Sequence, residues 1–184
     1  MILDANQEGL IVGVAGAGAM GRGIAQVAAV GGCSVKLFDA KDGVAVDSEA
    51  FIEKMLSRNV EKGRMAQEDA EDAVARIEVV DSLSGFAGCH CVIEAVIENL
   101  EIKHGVFKEL ESIVAGDCVI ATNTSSLSVS TIASICDKPE RVAGLHFFNP
   151  VPLMKLVEVI DGVLTDPTVG DFLMILGRRF GRES

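Results

Sequence analysis

A glycine-rich hexapeptide directly after an apolar run is the feature that most restricts how this chain can fold. Residues 10–15 are apolar except for Gly13, as in a buried parallel strand, and residues 16–21 read Gly-Ala-Gly-Ala-Met-Gly. A helix-like run of small residues continues to Val30, and Ser34–Phe38 has the composition of a second strand. The hexapeptide therefore occupies a strand-to-helix turn, the context in which G-x-G-x-x-G indicates dinucleotide binding.

The rest of the 184-residue chain repeats this alternation of apolar runs and helix-like segments. Further strands are predicted at residues 77–80, 91–95, 119–122, 142–146 and 155–160. Further helices are predicted at residues 47–62, 67–76, 99–114 and 128–135, and from Pro167 onward. Such strand–helix–strand repeats predict an α/β fold of the Rossmann type, a doubly wound, mostly parallel sheet with helices on both faces. We expect residues 1–184 to form one domain.

Each position of the hexapeptide has a physical role in holding a dinucleotide. Gly16 permits the tight turn, Gly18 lets the backbone approach a pyrophosphate, and Gly21 lets the helix pack closely on the strand. Ala19 and Met20 open the helix, whose free N–H groups and dipole favour phosphate. The alternative is a glycine-rich turn that binds no ligand.

Asp39 ends the second strand, 18 residues after Gly21. A carboxylate at this point can accept hydrogen bonds from the adenosine ribose and repels a 2′-phosphate, so the cofactor is predicted to be NAD. The alternative is that Asp39 only caps the end of its strand.

His146 and Glu158 are the best candidates for acid–base chemistry. His146 lies at the carboxyl end of a predicted strand, the edge where ligands of open α/β sheets bind. Glu158 lies within an apolar strand, where a lone carboxylate is costly to bury and needs a partner. If the two strands are neighbours, Glu158 can orient the imidazole and raise its basicity beside a dinucleotide. A core histidine bonded to a backbone carbonyl, with Glu158 in solvent, is the alternative.

Charge and composition exclude several other functions. The formal net charge is −11, with 27 acidic and 16 basic residues and no Trp or Tyr, which argues against nucleic acid and against a membrane surface as partners. There is no basic, apolar leader and no run long enough to span a bilayer, so we expect a cytoplasmic location, or an organelle matrix if a transit peptide has been removed. The odd number of cysteines, five, favours buried free thiols. Cys89-His90-Cys91 lacks a second ligand pair at zinc spacing, and no metal is predicted.

Four segments together resemble the L-3-hydroxyacyl-CoA dehydrogenase family: residues 16–29, 93–110, 121–133 and 141–160. The stretch His-Phe-Phe-Asn-Pro-Val-Pro followed by Leu-Val-Glu-Val-Ile is the most specific of these matches. The resemblance implies NAD-dependent oxidation of the 3-hydroxyl of an acyl-CoA, in fatty-acid β-oxidation or related CoA-thioester catabolism. It makes His146 the general base and Glu158 its partner. It also implies that Ser125 touches both the substrate oxygen and the nicotinamide side, whereas an ordinary backbone-bonded serine is the alternative.

The resemblance extends to residues that would hold NAD and the substrate. Glu98 and Lys103 match residues that line the NAD site, and Asn149 matches the residue that fixes the turn at the site. Lys62 matches a lysine that contacts CoA, and it follows Lys54 and Arg58 at i, i+4, i+8 on one helix face. The alternative is that these three residues form a solvated face. Met55 stands where the family often has serine, which removes a hydrogen bond to CoA.

The resemblance also implies a part that lies beyond Ser184. Members of the family continue into an all-helical domain that forms the homodimer, closes over the acyl-CoA and supplies a catalytic asparagine. We therefore expect this chain to be the NAD-binding domain, cut before the helical domain. Two alternatives remain: a fragment that binds NAD but turns over little, and a related dehydrogenase of a free hydroxy acid or sugar acid.

Overall fold

The computed structural model describes residues 4–184, which form one seven-stranded sheet in the order β3-β2-β1-β4-β5-β6-β7. The strands are β1 (Ile11–Ala15), β2 (Ser34–Phe38), β3 (Ile77–Val79), β4 (Cys91–Glu94), β5 (Val119–Thr122), β6 (Val142–Phe147) and β7 (Val157–Asp161). Strands β1 to β6 are parallel, and β7 pairs antiparallel with β6. The predicted mostly parallel sheet is confirmed.

Six α-helices connect and cover these strands. They are α1 (Ala19–Val30), α2 (Val44–Glu61), α3 (Gln67–Ala75), α4 (Leu100–Ile113), α5 (Val129–Ala133) and α6 (Pro167–Arg179). Ser128 caps α5 as predicted, because its side chain accepts a hydrogen bond from the Thr131 N–H. Two 3₁₀ turns, Leu83–Phe86 and Pro139–Arg141, were not predicted.

Most boundaries differ from the sequence prediction by one or two residues, and two of the differences have reasons visible in the backbone. Helix α2 starts three residues earlier than predicted, directly after Gly43, whose positive φ of 82° reverses the chain. Strand β7 starts later than predicted because Leu156 forms a bridge with Glu183 instead of pairing with β6. The last residues thus add a short parallel contact at the start of β7.

The core lies in two layers, one on each face of the sheet. One layer packs α1, α2, α3 and α6 against the sheet through residues such as Ile24, Ile52 and Leu173. The other packs α4 and α5 through residues such as Phe107 and Ile132. All residues of the central strands β4 and β5 are buried, as expected for parallel strands covered on both faces.

The sheet reverses its strand order between β1 and β4. From β1 the chain moves outward to β2 and β3, and then returns to place β4 on the other side of β1. Such a switch point leaves a crevice beyond the carboxyl ends of the strands, which is where open α/β sheets bind ligands. The glycine-rich turn after β1 and the segment after β4 form its two sides.

All five cysteines are free and buried, as the sequence predicted. Burial raises the pKa of the Cys89 thiol to about 12, and the same cause raises that of Cys118 to about 12. Instead of facing a metal, His90 accepts a hydrogen bond from the Ile11 N–H through Nδ1, at 3.0 Å. Over residues 4–184 we found neither a grouping of side chains suited to a metal ion nor a helix with the length and apolarity to cross a membrane.

Candidate active site

The glycine-rich turn has the geometry that its sequence predicted. Gly16 has φ of 99°, and a Cβ there would lie 2.6 Å from the Ala95 carbonyl oxygen. A Cβ at Gly21 would lie 1.7 Å from the Gly16 oxygen, so helix α1 can start this close to β1 only with glycine. At Gly18 a Cβ would meet nothing within 4 Å. The first and third glycines are therefore required by packing, whereas the second leaves open space for an approaching ligand.

Asp39 holds the turn and also lines a cavity beside it. Its Oδ2 accepts from the Ala17 N–H at 2.7 Å, and its Oδ1 accepts from the Lys41 N–H at 2.9 Å. The cavity, of about 360 Å³, also has an apolar lining contributed by Leu83, Ile97, Ile102 and Val106. We call it the first cavity. An apolar space next to a carboxylate suits a base and its ribose.

His146 and Glu158 face each other across the antiparallel pair β6–β7. The register places them directly opposite, and His146 Nδ1 lies 2.8 Å from Glu158 Oε2. The His146 side chain is 17% exposed and that of Glu158 is 51% exposed. Because Nδ1 is engaged by the carboxylate, Nε2 is the ring nitrogen that remains to exchange a proton. This contact contradicts the alternative of a core histidine bonded to a backbone carbonyl with Glu158 turned to solvent.

A second cavity, of about 320 Å³, brings five of the predicted site residues together. Its lining includes Met20, Glu98, Ser125, His146 and Asn149. Met20 belongs to the glycine-rich turn, so the histidine and the dinucleotide-binding turn share one space. Ala19 does not line this cavity; it lies at the third cavity, described below.

Asn123, which sequence reasoning missed, also lines the second cavity. It follows β5, and its Oδ1 accepts from the Phe147 N–H at 2.8 Å. This bond joins the ends of β5 and β6 just beside His146. Its position at the carboxyl end of a predicted strand was the signal that could have identified it.

Below the second cavity lies a buried ion-pair network that the sequence did not predict. The Nζ of Lys103, a side chain that is 1% exposed, lies 2.7 Å from Oε1 of the fully buried Glu94 and 3.2 Å from Oε2 of Glu98. Glu94 also accepts from Thr122 Oγ1 at 2.8 Å and from the Val96 N–H at 2.7 Å. Lys103 was predicted to line the NAD site. In the structure it is buried beneath Glu98, and of the two only Glu98 reaches the second cavity.

Glu98 connects this network to the loop that carries Ser125. Glu98 Oε1 accepts hydrogen bonds from Thr124 Oγ1, from the Ser125 N–H at 3.1 Å and from the Ser126 N–H at 3.3 Å. Burial raises the pKa of Glu98, but the bond from Thr124 and the charge of Lys103 outweigh it and lower the pKa to about 2. The carboxylate is therefore ionised at neutral pH and holds the loop through its backbone.

A third cavity, of about 300 Å³, lies between α1, α2 and the segment 149–153. Arg58, Lys62 and Met55 line it, as the stripe on α2 led us to expect, but Lys54 does not. Arg22 of α1 lines it as well and was missed. Asn149 lies between the second and third cavities and lines both. The third cavity and the cavity that contains His146 therefore adjoin at Asn149.

The fold and these sites define a dinucleotide-binding α/β domain that carries its own histidine–carboxylate pair. Residues 11–184 match the family described as "3-hydroxyacyl-CoA dehydrogenase, NAD binding domain". The chain belongs to this family, and the expectation of NAD as cofactor is confirmed.

Several dehydrogenases are similar to this chain in sequence or in structure. The chain is 40% identical to the probable 3-hydroxybutyryl-CoA dehydrogenase of Bacillus subtilis (strain 168), over 93% of this chain and 60% of the relative. It is 40% identical to the 3-hydroxyadipyl-CoA dehydrogenase of Escherichia coli (strain K12), over 94% of this chain and 36% of the relative. The crystal structure of (S)-3-hydroxybutyryl-CoA dehydrogenase from Ralstonia eutropha superposes with a TM-score of 0.91 at 37% identity, covering 94% of this chain and 61% of that one. The chain thus spans about 60% of the length of several relatives.

Proposed function

We propose that this chain carries out the NAD-dependent oxidation of an L-3-hydroxyacyl-CoA. The reaction reversibly converts the 3-hydroxyl to a 3-oxo group, in fatty-acid β-oxidation or related CoA-thioester catabolism. The observation that carries the proposal is the 2.8 Å contact between His146 and Glu158 in a cavity that also contains Met20 of the dinucleotide-binding turn. A proton acceptor and a hydride-acceptor site are therefore adjacent, as alcohol oxidation requires.

His146 acts as the general base in this proposal. Glu158 accepts the Nδ1–H hydrogen bond, which leaves Nε2 free to take the hydroxyl proton of the substrate, and the carboxylate then stabilises the imidazolium. NAD, when bound, supplies the acceptor for the hydride that leaves C3 of the substrate. In the reverse direction the imidazolium returns the proton to the oxo group.

Ser125, Asn149 and Lys62 bind the substrate in this proposal. Ser125 lies in the second cavity with His146, so its hydroxyl can donate to the substrate oxygen, while Glu98 fixes its backbone. Asn149 fixes the turn between the two cavities, and Lys62 with Arg58 offers positive charge to CoA phosphates in the third cavity. Met55 lies among these residues and can offer CoA only apolar contact.

Several expectations from the family remain proposals for the whole protein. We propose residues 1–184 as the NAD-binding domain, and a helical domain of the relatives as the source of the catalytic asparagine and of a homodimer surface. A match that covers 60% of a relative's length is consistent with that division. The five buried free thiols and the acidic composition support a cytoplasmic location.

The test combines cofactor binding with turnover. NADH binding is measured by fluorescence titration, and reduction of acetoacetyl-CoA is followed by NADH absorbance, for the wild type and for His146→Gln. We expect the variant to retain NADH affinity within about twofold and to lose turnover by a factor of about 10² or more. His104→Gln is the matched control, because His104 contacts the Thr131 carbonyl on the outside of α4 and lines none of the three cavities.

Other outcomes would favour the alternatives. Tight NADH binding by a wild type that does not reduce acetoacetyl-CoA would identify the chain alone as a binding module. Faster turnover of free hydroxy acids than of CoA thioesters would indicate the related class of dehydrogenases. No NADH binding at all would overturn the proposal.

A further inference from the structure

Arg22 is the one cation of the third cavity that does not belong to the α2 stripe. It is half-buried and lines the cavity together with Arg58 and Lys62. The lining of this cavity, within residues 4–184, contains no Asp or Glu, although the chain has 27 acidic and 16 basic residues. Three cations without a carboxylate make this cavity a local positive region in an acidic protein.

The charge of Arg22 is not stabilised by its own helix. It is the fourth residue of α1, and the first turn of this helix contains no acidic residue. A cation near a helix N-terminus is opposed by the positive end of the helix dipole. No hydrogen bond or ion pair from the Arg22 side chain is found within the described part of the chain. The charge is therefore placed where local structure does not favour it, as happens at binding sites.

Phe51 fixes the orientation of the Arg22 guanidinium. The Arg22 Cζ lies 3.8 Å from the centre of the Phe51 ring, which is a cation–π contact. Stacking uses the face of the guanidinium and leaves its N–H donors, which point outward in the plane, available to an anion. The backbone is fixed too, since a Cβ at Gly23 would lie 2.7 Å from Val151 Cβ, so α1 packs closely on the segment beside Asn149.

From this geometry we infer that Arg22 is a third anion-binding residue of the cavity and positions an anionic group of the substrate between the α2 stripe and the His146 cavity. The inference rests on the proposed function, because it takes the substrate to be an acyl-CoA. The anion is either a phosphate of CoA or a carboxylate at the end of the acyl chain. Both present oxygens that a planar guanidinium can bind in bidentate fashion.

The test measures affinity by calorimetry for CoA, hexanoyl-CoA and adipyl-CoA, with NADH as the control ligand. Hexanoyl and adipyl chains have the same number of carbons, and only adipyl ends in a carboxylate. We expect Arg22→Gln to weaken binding by roughly tenfold or more, as for loss of a charge-assisted contact. Phe51→Leu, which removes the stacking ring, should weaken it by roughly two- to fivefold. Arg178→Gln, an equal charge change at an exposed residue of α6, should have no effect.

Each outcome bears on the inference. An equal loss for all three CoA ligands places the anion on CoA, and a loss for adipyl-CoA alone places it on the acyl chain; both support the inference. Unchanged affinity for all three in Arg22→Gln, or a matching loss of NADH affinity, overturns it while the proposed function stands. Wild type that binds NADH but none of the CoA ligands overturns both. If Arg22→Gln does not fold, Arg22→Lys replaces it, with a smaller loss expected because the charge remains without its planar donors.

Discussion

Removal of the Lys103 ammonium should destabilise the domain more than most single substitutions. In Lys103→Met, the fully buried Glu94 would lose its ion pair at 2.7 Å. Loss of one partner of a buried pair costs about 3–5 kcal/mol, because the remaining charge is left in a medium of low polarity. Two donors stay with Glu94, the Val96 N–H and the Thr122 hydroxyl, so we expect about 3 kcal/mol.

Urea unfolding followed by circular dichroism measures this loss in the free energy of unfolding. Lys108→Met is the control, because Lys108 lies exposed on the same helix and its substitution should change stability by less than about 0.5 kcal/mol. The double variant Glu94→Gln with Lys103→Met should be more stable than Lys103→Met alone, by about 1 kcal/mol or more, since no buried charge remains. A loss below about 1 kcal/mol for Lys103→Met, or a double variant no more stable than the single one, would refute this reasoning.

Three further predictions concern the cofactor, the pH dependence and the packing of α6. Asp39→Asn should raise the affinity for NADPH relative to NADH by about tenfold, because the carboxylate that repels a 2′-phosphate is gone. Fluorescence titrations with both cofactors measure this ratio of affinities, and an unchanged ratio would contradict the prediction. The pKa of Glu98 is lowered from 4.5 to about 2, so its contribution to stability is present above pH 4.5 and lost as the pH falls to 2. The difference in unfolding free energy between wild type and Glu98→Gln should therefore shrink over that interval, and a constant difference would contradict it. Arg179 donates to the carbonyls of Ala5, Gln7, Gly31 and Gly32 at 2.8–3.1 Å, so Arg179→Ala should cost about 2–4 kcal/mol in thermal or urea unfolding, against little change for Arg178→Ala.

Most of the fold could be predicted because a covered parallel sheet has a strong sequence signature. Strands β2 and β5 have the predicted bounds, since their apolar runs end where the chain turns. The two 3₁₀ turns were missed because such turns are short and have no periodicity to detect. The predicted helix began at Asp47, whereas the left-handed Gly43 sets the actual start of α2 at Val44.

The candidate site was predictable where a residue conflicts with its local surroundings. His146 and Glu158 are polar residues in apolar strands, and that conflict pointed to their contact. Glu94 is equally out of place in β4, but its partner Lys103 lies on a helix nine residues later, and nothing local connects the two. Arg22 looks like an ordinary helix residue until α1 is packed against α2. Lys54 does not line the third cavity, because eight residues of helix rotate by about 80° beyond two full turns and a stripe at i, i+4, i+8 drifts around the helix.

The antiparallel register of β6 and β7 fixes the His146–Glu158 contact, whereas the segment that joins the two strands shapes the third cavity. The histidine–glutamate pair is held by ladder positions, so deletion of one residue within β7 would exchange Glu158 for a valine neighbour and turn the carboxylate to the other face. The connecting segment 148–156 lies outside that ladder, and its residues 149–153 line the third cavity. Insertions there could reshape the space available to a substrate without displacing the base. Under the proposed function, the residues that shape the third cavity and the pair that transfers the proton thus lie in adjacent stretches of the same hairpin.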